Sequence, residues 1–206
     1  LWTDSELTLA GTDCGDSGRG TQPDGSPDRL LWCVAGRRYE FPDGSLYDIV
    51  VSARETDGAR SELRITLPPN PITPPPHIHP EQEEAWAIVD GSLEALIGRQ
   101  WQTLTAGQSI TIPPRTVHAF RNRSGENVSL RVVHTPALAF ERYLERLYWL
   151  SAMNRIRGSR DLTSLLYSSL LLDTHRQEQV LARPGARAAV RTMAQVARML
   201  RLRIDP

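Results

Sequence analysis

The stretch PPPHIHPEQEEAWAIVDG, residues 74–91, places two histidines one residue apart and three glutamates just behind them. Only five histidines occur in the 206 residues, so two of the five are concentrated here. On a β-strand successive side chains alternate faces, so His77 and His79 look one way while Ile78 looks the other. Glu84 heads the apolar run that follows, and Trp86 and Ile88 share its face. A carboxylate heading an otherwise apolar strand is costly to bury unless something pairs with it. A cation held by the two imidazoles supplies that partner.

A second stretch, AGQSITIPPRTVHAFRN at residues 106–122, carries His118 with Phe120 and Asn122 on the same strand face. The two stretches together resemble the paired motifs of the cupin superfamily. The first motif reads H-x-H, four residues, E, six residues, G, and is filled by His77, His79, Glu84 and Gly91. The second reads G, five residues, P-x-G, two residues, H, three residues, N. Gly107, Pro113, His118 and Asn122 fill it, with Arg115 where the motif has glycine. Pro71 stands where the first motif opens with glycine. Both departures fall at turns, so they bear on loop geometry rather than on metal ligation. Glu83 is the rival to Glu84, and the six-residue interval to Gly91 favours Glu84. The resemblance spans roughly residues 30 to 136. It implies a jelly-roll barrel with one divalent metal on His77, His79, Glu84 and His118.

The rest of the chain agrees with an all-β core. From residue 30 to about 135, short apolar runs such as YDIVVSA, SELRITL, EAWAIV, LEALIG, SITIP and SLRVVH alternate with turn signals such as PDGS, TDGA and SGEN. After Pro136 the period changes. ALAFERYLERLYWLSAMNRI places Leu138, Phe140, Leu144, Leu147, Tyr148 and Met153 at helical intervals. A second helix is expected in RDLTSLLYSSLLLDTHRQEQVLA, capped by Asp161 or Ser159, and a third enters through Pro184. The expected fold class is therefore mainly β: an antiparallel barrel over residues 30–136, a helical extension over 137–206, and a flexible segment over 1–29. Arg187, Arg191 and Arg198 recur on the third helix as a solvated face over a buried stripe.

Composition narrows the function. The 24 basic residues balance the 24 acidic ones, so no overall field recruits nucleic acid or an anionic membrane. All the basic residues are arginine, which removes Schiff-base lysine chemistry and lysine-dependent phosphate loops. No apolar run is long enough to span a bilayer. The chain opens on Leu1, which reads as a trimmed start, and the location is taken as cytoplasmic. Cys14 and Cys33 flank a Gly/Pro/Ser/Asp segment and are read as a loop thiol and a small buried hydrophobe rather than a pair.

The resemblance implies a mononuclear metal enzyme acting on a small oxygen-containing substrate. Iron or manganese ranks ahead of zinc, nickel and copper, and dioxygenase-type oxygenase chemistry ahead of isomerase, cyclase, decarboxylase or lyase chemistry. The other class open to such a barrel is a non-catalytic module that holds or senses a small ligand. If Glu84 points inward then Trp86 and Ile88 do too, and Phe120 follows from His118, so these three are the expected wall of a planar or hydrophobic pocket. His134, at the end of the last strand, is a candidate acid or base. Tyr47 and Arg64 lie on early strands that can face a cavity, and His175 in the tail has no chemistry near it in the sequence. The apolar run of the second helix suits packing on the barrel or in a homodimer.

Overall fold

The computed structural model describes residues 37–157 and 161–205. The segment 1–29, Cys14 and Cys33 lie outside the described residues. Ten strands come first: β1 Arg38–Glu40, β2 Leu46–Val51, β3 Ser61–Leu67, β4 His77–Ile78, β5 Glu83–Asp90, β6 Ser92–Ile97, β7 Gln100–Thr105, β8 Ser109–Ile112, β9 His118–Arg121 and β10 Val128–Thr135. They are followed by α1 Phe140–Ala152, α2 Leu162–Thr174, β11 Val180–Leu181 and α3 Pro184–Met199. A six-stranded sheet runs β1-β2-β3-β10-β5-β8 and a five-stranded sheet runs β11-β4-β9-β6-β7. Every pairing is antiparallel. The fold is a jelly-roll barrel of two antiparallel sheets followed by helices.

Period-two patterning puts the core between the sheets. In β5 the buried positions are Glu84, Trp86 and Ile88, and in β10 they are Val128, Leu130, Val132 and His134. β10 lies between β3 and β5, and its register sets Leu130 against Ile88, Val132 against Trp86 and His134 against Glu84. Fully buried side chains such as Leu63, Leu67, Leu93 and Leu130 each add about 1.5–3 kcal/mol of transfer free energy.

Two differences from the sequence reading have clear causes. No apolar run marks β7, because five of its six side chains face solvent and only Leu104 is buried. It forms an outer strand because Gly98, at φ +63°, turns a two-residue hairpin that pairs Ile97 with Gln100. The second helix was expected to run to Ala182 but ends at Thr174, and Val180–Leu181 instead pairs with His77–Ile78 of β4. The free edge of β4 offers backbone partners that helical periodicity cannot register. Asp161 caps α2 by accepting from the Ser164 N–H at 2.8 Å, and Pro184 opens α3 as expected.

α1 has two working faces. Leu144, Phe140 and Tyr148 pack on the barrel core, with the Tyr148 ring centroid 5.1 Å from that of Tyr39. Tyr143 and Leu150 belong to a second core with Leu166, Leu170 and Leu171 of α2 and Ala197 of α3. On α3, Arg198 pairs with Asp173 at 2.7 Å, while Arg187 donates to the Leu181 carbonyl at 2.6 Å.

Gly91, between β5 and β6, has φ +80°, and a Cβ there would sit 2.7 Å from the Asn127 carbonyl oxygen. Holding an L-residue at positive φ costs on the order of 1–3 kcal/mol, and the backbone overlap adds to it. Gly91→Ala should therefore lower the chemical-denaturation midpoint clearly more than Gly107→Ala, since Gly107 has a similar φ of +83° but open space around it. Equal losses would remove the overlap as a cause.

Candidate metal centre

Two cross-strand pairs, one from each sheet, build the centre of the site. In the six-stranded sheet Glu84 of β5 stands opposite His134 of β10. In the five-stranded sheet His77 of β4 stands opposite His118 of β9. His79 follows β4, and all five side chains are buried, none more than 6% exposed. The ring centroids of His77 and His118 are 4.3 Å apart, and those of His79 lie 5.0 Å from His118 and 5.4 Å from His134. Glu84 Oε2 lies 3.0 Å from His118 Nε2 and 3.4 Å from His79 Nε2, while Oε1 lies 3.3 Å from His134 Nε2. One ligand atom each from His77, His79 and His118 falls within 4.8 Å of the others, and so does one each from His79, Glu84 and His134.

The other ring nitrogens fix the tautomers. Nδ1 of His77 donates to the Pro75 carbonyl at 2.9 Å, and Nδ1 of His118 to the Thr116 carbonyl at 2.9 Å. Nδ1 of His79 donates to the Glu178 carbonyl. A carbonyl only accepts, so each Nδ1 carries its proton and each neutral ring turns an Nε2 lone pair inward. Nε2 of His79, Nε2 of His118 and Oε2 of Glu84 are buried with no hydrogen-bond partner among the described residues, as are both ring nitrogens of His134. Leaving one such atom unsatisfied costs about 1–3 kcal/mol. Converging lone pairs without donors are a donor set for a cation, and the residues fit one.

Charge in the cluster is unequal. Burial alone would raise the Glu84 pKa, but contacts with His118, His134 and His79 outweigh it and hold the carboxyl well below its ordinary value. Burial, then His118 and His79, push His77 down to about 3. Burial also lowers His134 despite its contact with Glu84. Burial works against charge on His79 as well, yet Glu84 and the Glu178 carbonyl leave its pKa raised. The site is thus a buried carboxylate among imidazoles, of which burial holds His77 and His134 neutral.

The remaining sequence candidates separate. Glu81 and Glu83 are exposed, so Glu84 is the inward carboxylate. Trp86, Ile88 and Phe120 are buried in the barrel core, with the Trp86 ring 5.9 Å from His118 and 5.7 Å from Phe120. None of the three lines the cavity of about 550 Å³ beside the barrel, which is walled by the β1–β2 hairpin, the proline-rich segment and helices α1 and α2 and carries Tyr47 on its lining. Arg64 is exposed. Asn122 donates to the carbonyls of Leu67, Pro68 and Glu126 and so ties loops together instead of facing the cluster. Arg115, in place of the motif's glycine, takes the left-handed conformation itself at φ +66° and donates its backbone N–H to the His79 carbonyl.

Two contributors were missed in the sequence. Phe140 stacks on His134, with centroids 3.7 Å apart and planes at 25°, and its ring lies 6.1 Å from His79. Its helical period marked it as a packing residue, but nothing marked the barrel mouth as its target. His175, read as remote from chemistry, accepts from Arg146 Nη1 at 2.8 Å through Nε2 and sets Nδ1 3.4 Å from Glu178. Glu178 is the residue whose carbonyl holds His79, and Arg146 is pinned in turn by Asp205.

The cupin domain family model matches residues 63–134. None of the curated proteins matches the sequence. Among solved structures, a conserved protein with a double-stranded beta-helix domain from Klebsiella pneumoniae is 21% identical. The match covers 46% of this chain and 79% of that one, with a TM-score of 0.41. A predicted oxalate decarboxylase from Thermotoga maritima is 16% identical over 50% of this chain and 93% of that one, at 0.44. A Cupin 2 conserved barrel domain protein from Salinispora arenicola is 17% identical over 52% and 89%, at 0.41. Similarity at this level says nothing of substrate or reaction. With both motifs in order on a jelly-roll barrel, and the family model matched across them, residues 63–134 of this chain form a cupin domain.

Proposed function

We propose that the chain is a metal-dependent enzyme that holds one divalent ion on His77, His79, Glu84 and His118 and acts on a small, oxygen-bearing organic molecule. The observation that carries this reading is the set of buried, unpartnered donor atoms on His79, His118 and Glu84. Imidazole nitrogens with one carboxylate suit iron, manganese, zinc, nickel or copper alike. When bound, the ion supplies Lewis acidity and stabilises negative charge that develops on a substrate oxygen.

The chain's own residues do the rest. His134 is a neutral base at neutral pH, buried beside Glu84 with both nitrogens unpartnered, and it can take up a proton at Nε2. Phe140 covers its ring and keeps water from that face. The three backbone carbonyls behind His77, His79 and His118 hold the ligand rings in one orientation. A buried neutral base beside a centre that stabilises an oxyanion favours proton-transfer chemistry, such as isomerisation or cyclisation. Oxygenase chemistry, ranked first by the resemblance, needs no such base and is the reading that a bound redox-active metal would support.

Elemental analysis of the purified chain tests the metal centre. The expected result is near one ion per chain. Changing His77, His79, Glu84 or His118 singly to Ala should weaken retention by about tenfold or more. Unchanged occupancy in any two of the four variants rules the site out. His134→Gln should keep the ion and lose turnover; loss of the ion would make His134 a fifth ligand instead.

Protonation gives a second check on the chelated, metal-free chain. His77 titrates near 3 when folded and at its ordinary 6.5 when unfolded, so between those values the unfolded chain binds more protons. Stability then rises with pH across that window. His134 is lowered by burial and acts in the same sense. His79 is raised and acts oppositely, as pH climbs past 6.5. Thermal midpoints should therefore fall on acidification from pH 6.5 towards 4.5, and His77→Gln should flatten that slope. A profile no steeper in the wild type than in His77→Gln would contradict the buried, neutral state of His77.

A further inference from the structure

The cavity of about 550 Å³ lies between the β1–β2 hairpin, the proline-rich segment 72–75, and helices α1 and α2. Its volume falls in the range of about 300–1,000 Å³ that takes a small organic ligand. Its walls are mainly apolar, with Phe41, Ile72, Pro74, Leu147, Leu171 and Leu181 among them. On α1 and just past its end, Tyr143, Leu147, Ser151 and Asn154 recur every three or four positions and line one stripe of the wall. At 1.5 Å per residue that stripe is roughly 16 Å long. The space is elongated.

Its polar groups are placed at particular points. At one end are Tyr143 and Gln179, joined by a 3.4 Å hydrogen bond. Gln179 adjoins Glu178, whose carbonyl holds His79, and Tyr143 packs on the Phe140 that covers His134. At the other end are Asn154 and Arg157, the one cation among the described lining residues, which is half exposed and lies 3.7 Å from Asp161. Asp43 also lines the cavity, but its two oxygens accept from the backbone N–H groups of Ser45 and Ile72 at 3.0 and 2.7 Å. Ser45, only 2% exposed, lines the cavity with an Oγ that has no partner among the described residues. Tyr47 on the wall is pushed up, by burial first and then by the nearby Asp43 carboxylate.

We propose that this chamber holds the apolar body of the substrate, an elongated and mainly hydrocarbon organic anion. Its charged end lies at Arg157 and Asn154, and its other end lies at Tyr143 and Gln179. That the occupant is the substrate rests on the metal-centre reading above, whereas retention of its apolar body does not. The length of the chamber, its apolar walls and its single cation select such a molecule over a sugar or a free amino acid. The unpartnered Ser45 hydroxyl supplies one more hydrogen bond along the wall.

The test uses the full chain with its metal and 1-anilinonaphthalene-8-sulfonate as probe, followed by fluorescence and displaced by decanoate. Leu147→Trp fills the chamber from α1, and Ser168→Trp fills it from α2 if the first variant fails to fold. Each should weaken the probe about tenfold or more, equivalent to about 1.4 kcal/mol, while metal per chain stays at the wild-type value. Arg157→Gln, at an exposed position, should weaken decanoate more than decanol. His77→Ala should lose metal and keep its affinity for the probe. Equal probe binding by wild type and both tryptophan variants, or none by wild type, overturns the chamber. A wild type without metal whose probe binding still responds to Leu147→Trp sinks the metal centre alone and leaves the chamber standing.

Discussion

A single negative charge buried at the mouth of the barrel organises this protein. Glu84 is 6% exposed and stands among His79, His118 and His134 at 3.0 to 3.4 Å. An isolated carboxylate there would neutralise itself, because removing an ion from water costs far more than the fold can spare. Its neighbours hold it ionised. Yet the inward nitrogens of His79 and His118 carry lone pairs when neutral, since their Nδ1 protons are committed to carbonyls. The cluster therefore has a charge to satisfy and several lone pairs facing one another. A divalent cation resolves both.

The helices complete the site. The Glu178 carbonyl that orients His79 and the Phe140 ring that covers His134 both come from beyond the barrel. Asp205, Arg146 and His175 tie the end of the chain and α1 to the turn that carries Glu178. β11 extends the sheet directly beside His77. Gln82, buried just before β5, donates to the carbonyls of Pro136 and Ala137 and joins the barrel to the helical segment. Through these contacts the geometry around the histidines depends on the packing of α1 and α2, and the same packing walls the apolar chamber.

The departures from the family motifs show what those positions need. Arg115 replaces a glycine and still adopts the left-handed conformation, at the modest cost a non-glycine residue carries there. Its backbone N–H reaches the His79 carbonyl, so the requirement at that turn is the backbone shape rather than the missing side chain. Gly91 differs, because a Cβ would meet the Asn127 carbonyl at 2.7 Å. One turn tolerates a side chain and the other has no room for one.

Local sequence determined whatever depends on period and spacing. Alternation set Glu84, Trp86 and Ile88 inward on β5, and the intervals around His77, His79, Glu84 and His118 marked the paired motifs. Asp161 and Pro184 marked the starts of two helices. What depends on register or on contact across the sequence was decided only in the tertiary structure. His134 faces Glu84 because β10 pairs with β5 in one register, fifty residues away, and a slip of one residue would turn it out of the barrel. Val180–Leu181 became a strand because β4 offered an open edge, overriding the helical pattern. Phe140 and His175 read as ordinary helix and tail residues, and only packing brought them to the cluster. Trp86, Ile88 and Phe120 point inward as alternation implies, whereas the cavity beside the barrel is lined by residues of the β1–β2 hairpin, the segment 72–75 and the helical region. Face selection is a local property of the backbone, whereas the position of a cavity depends on every element that surrounds it.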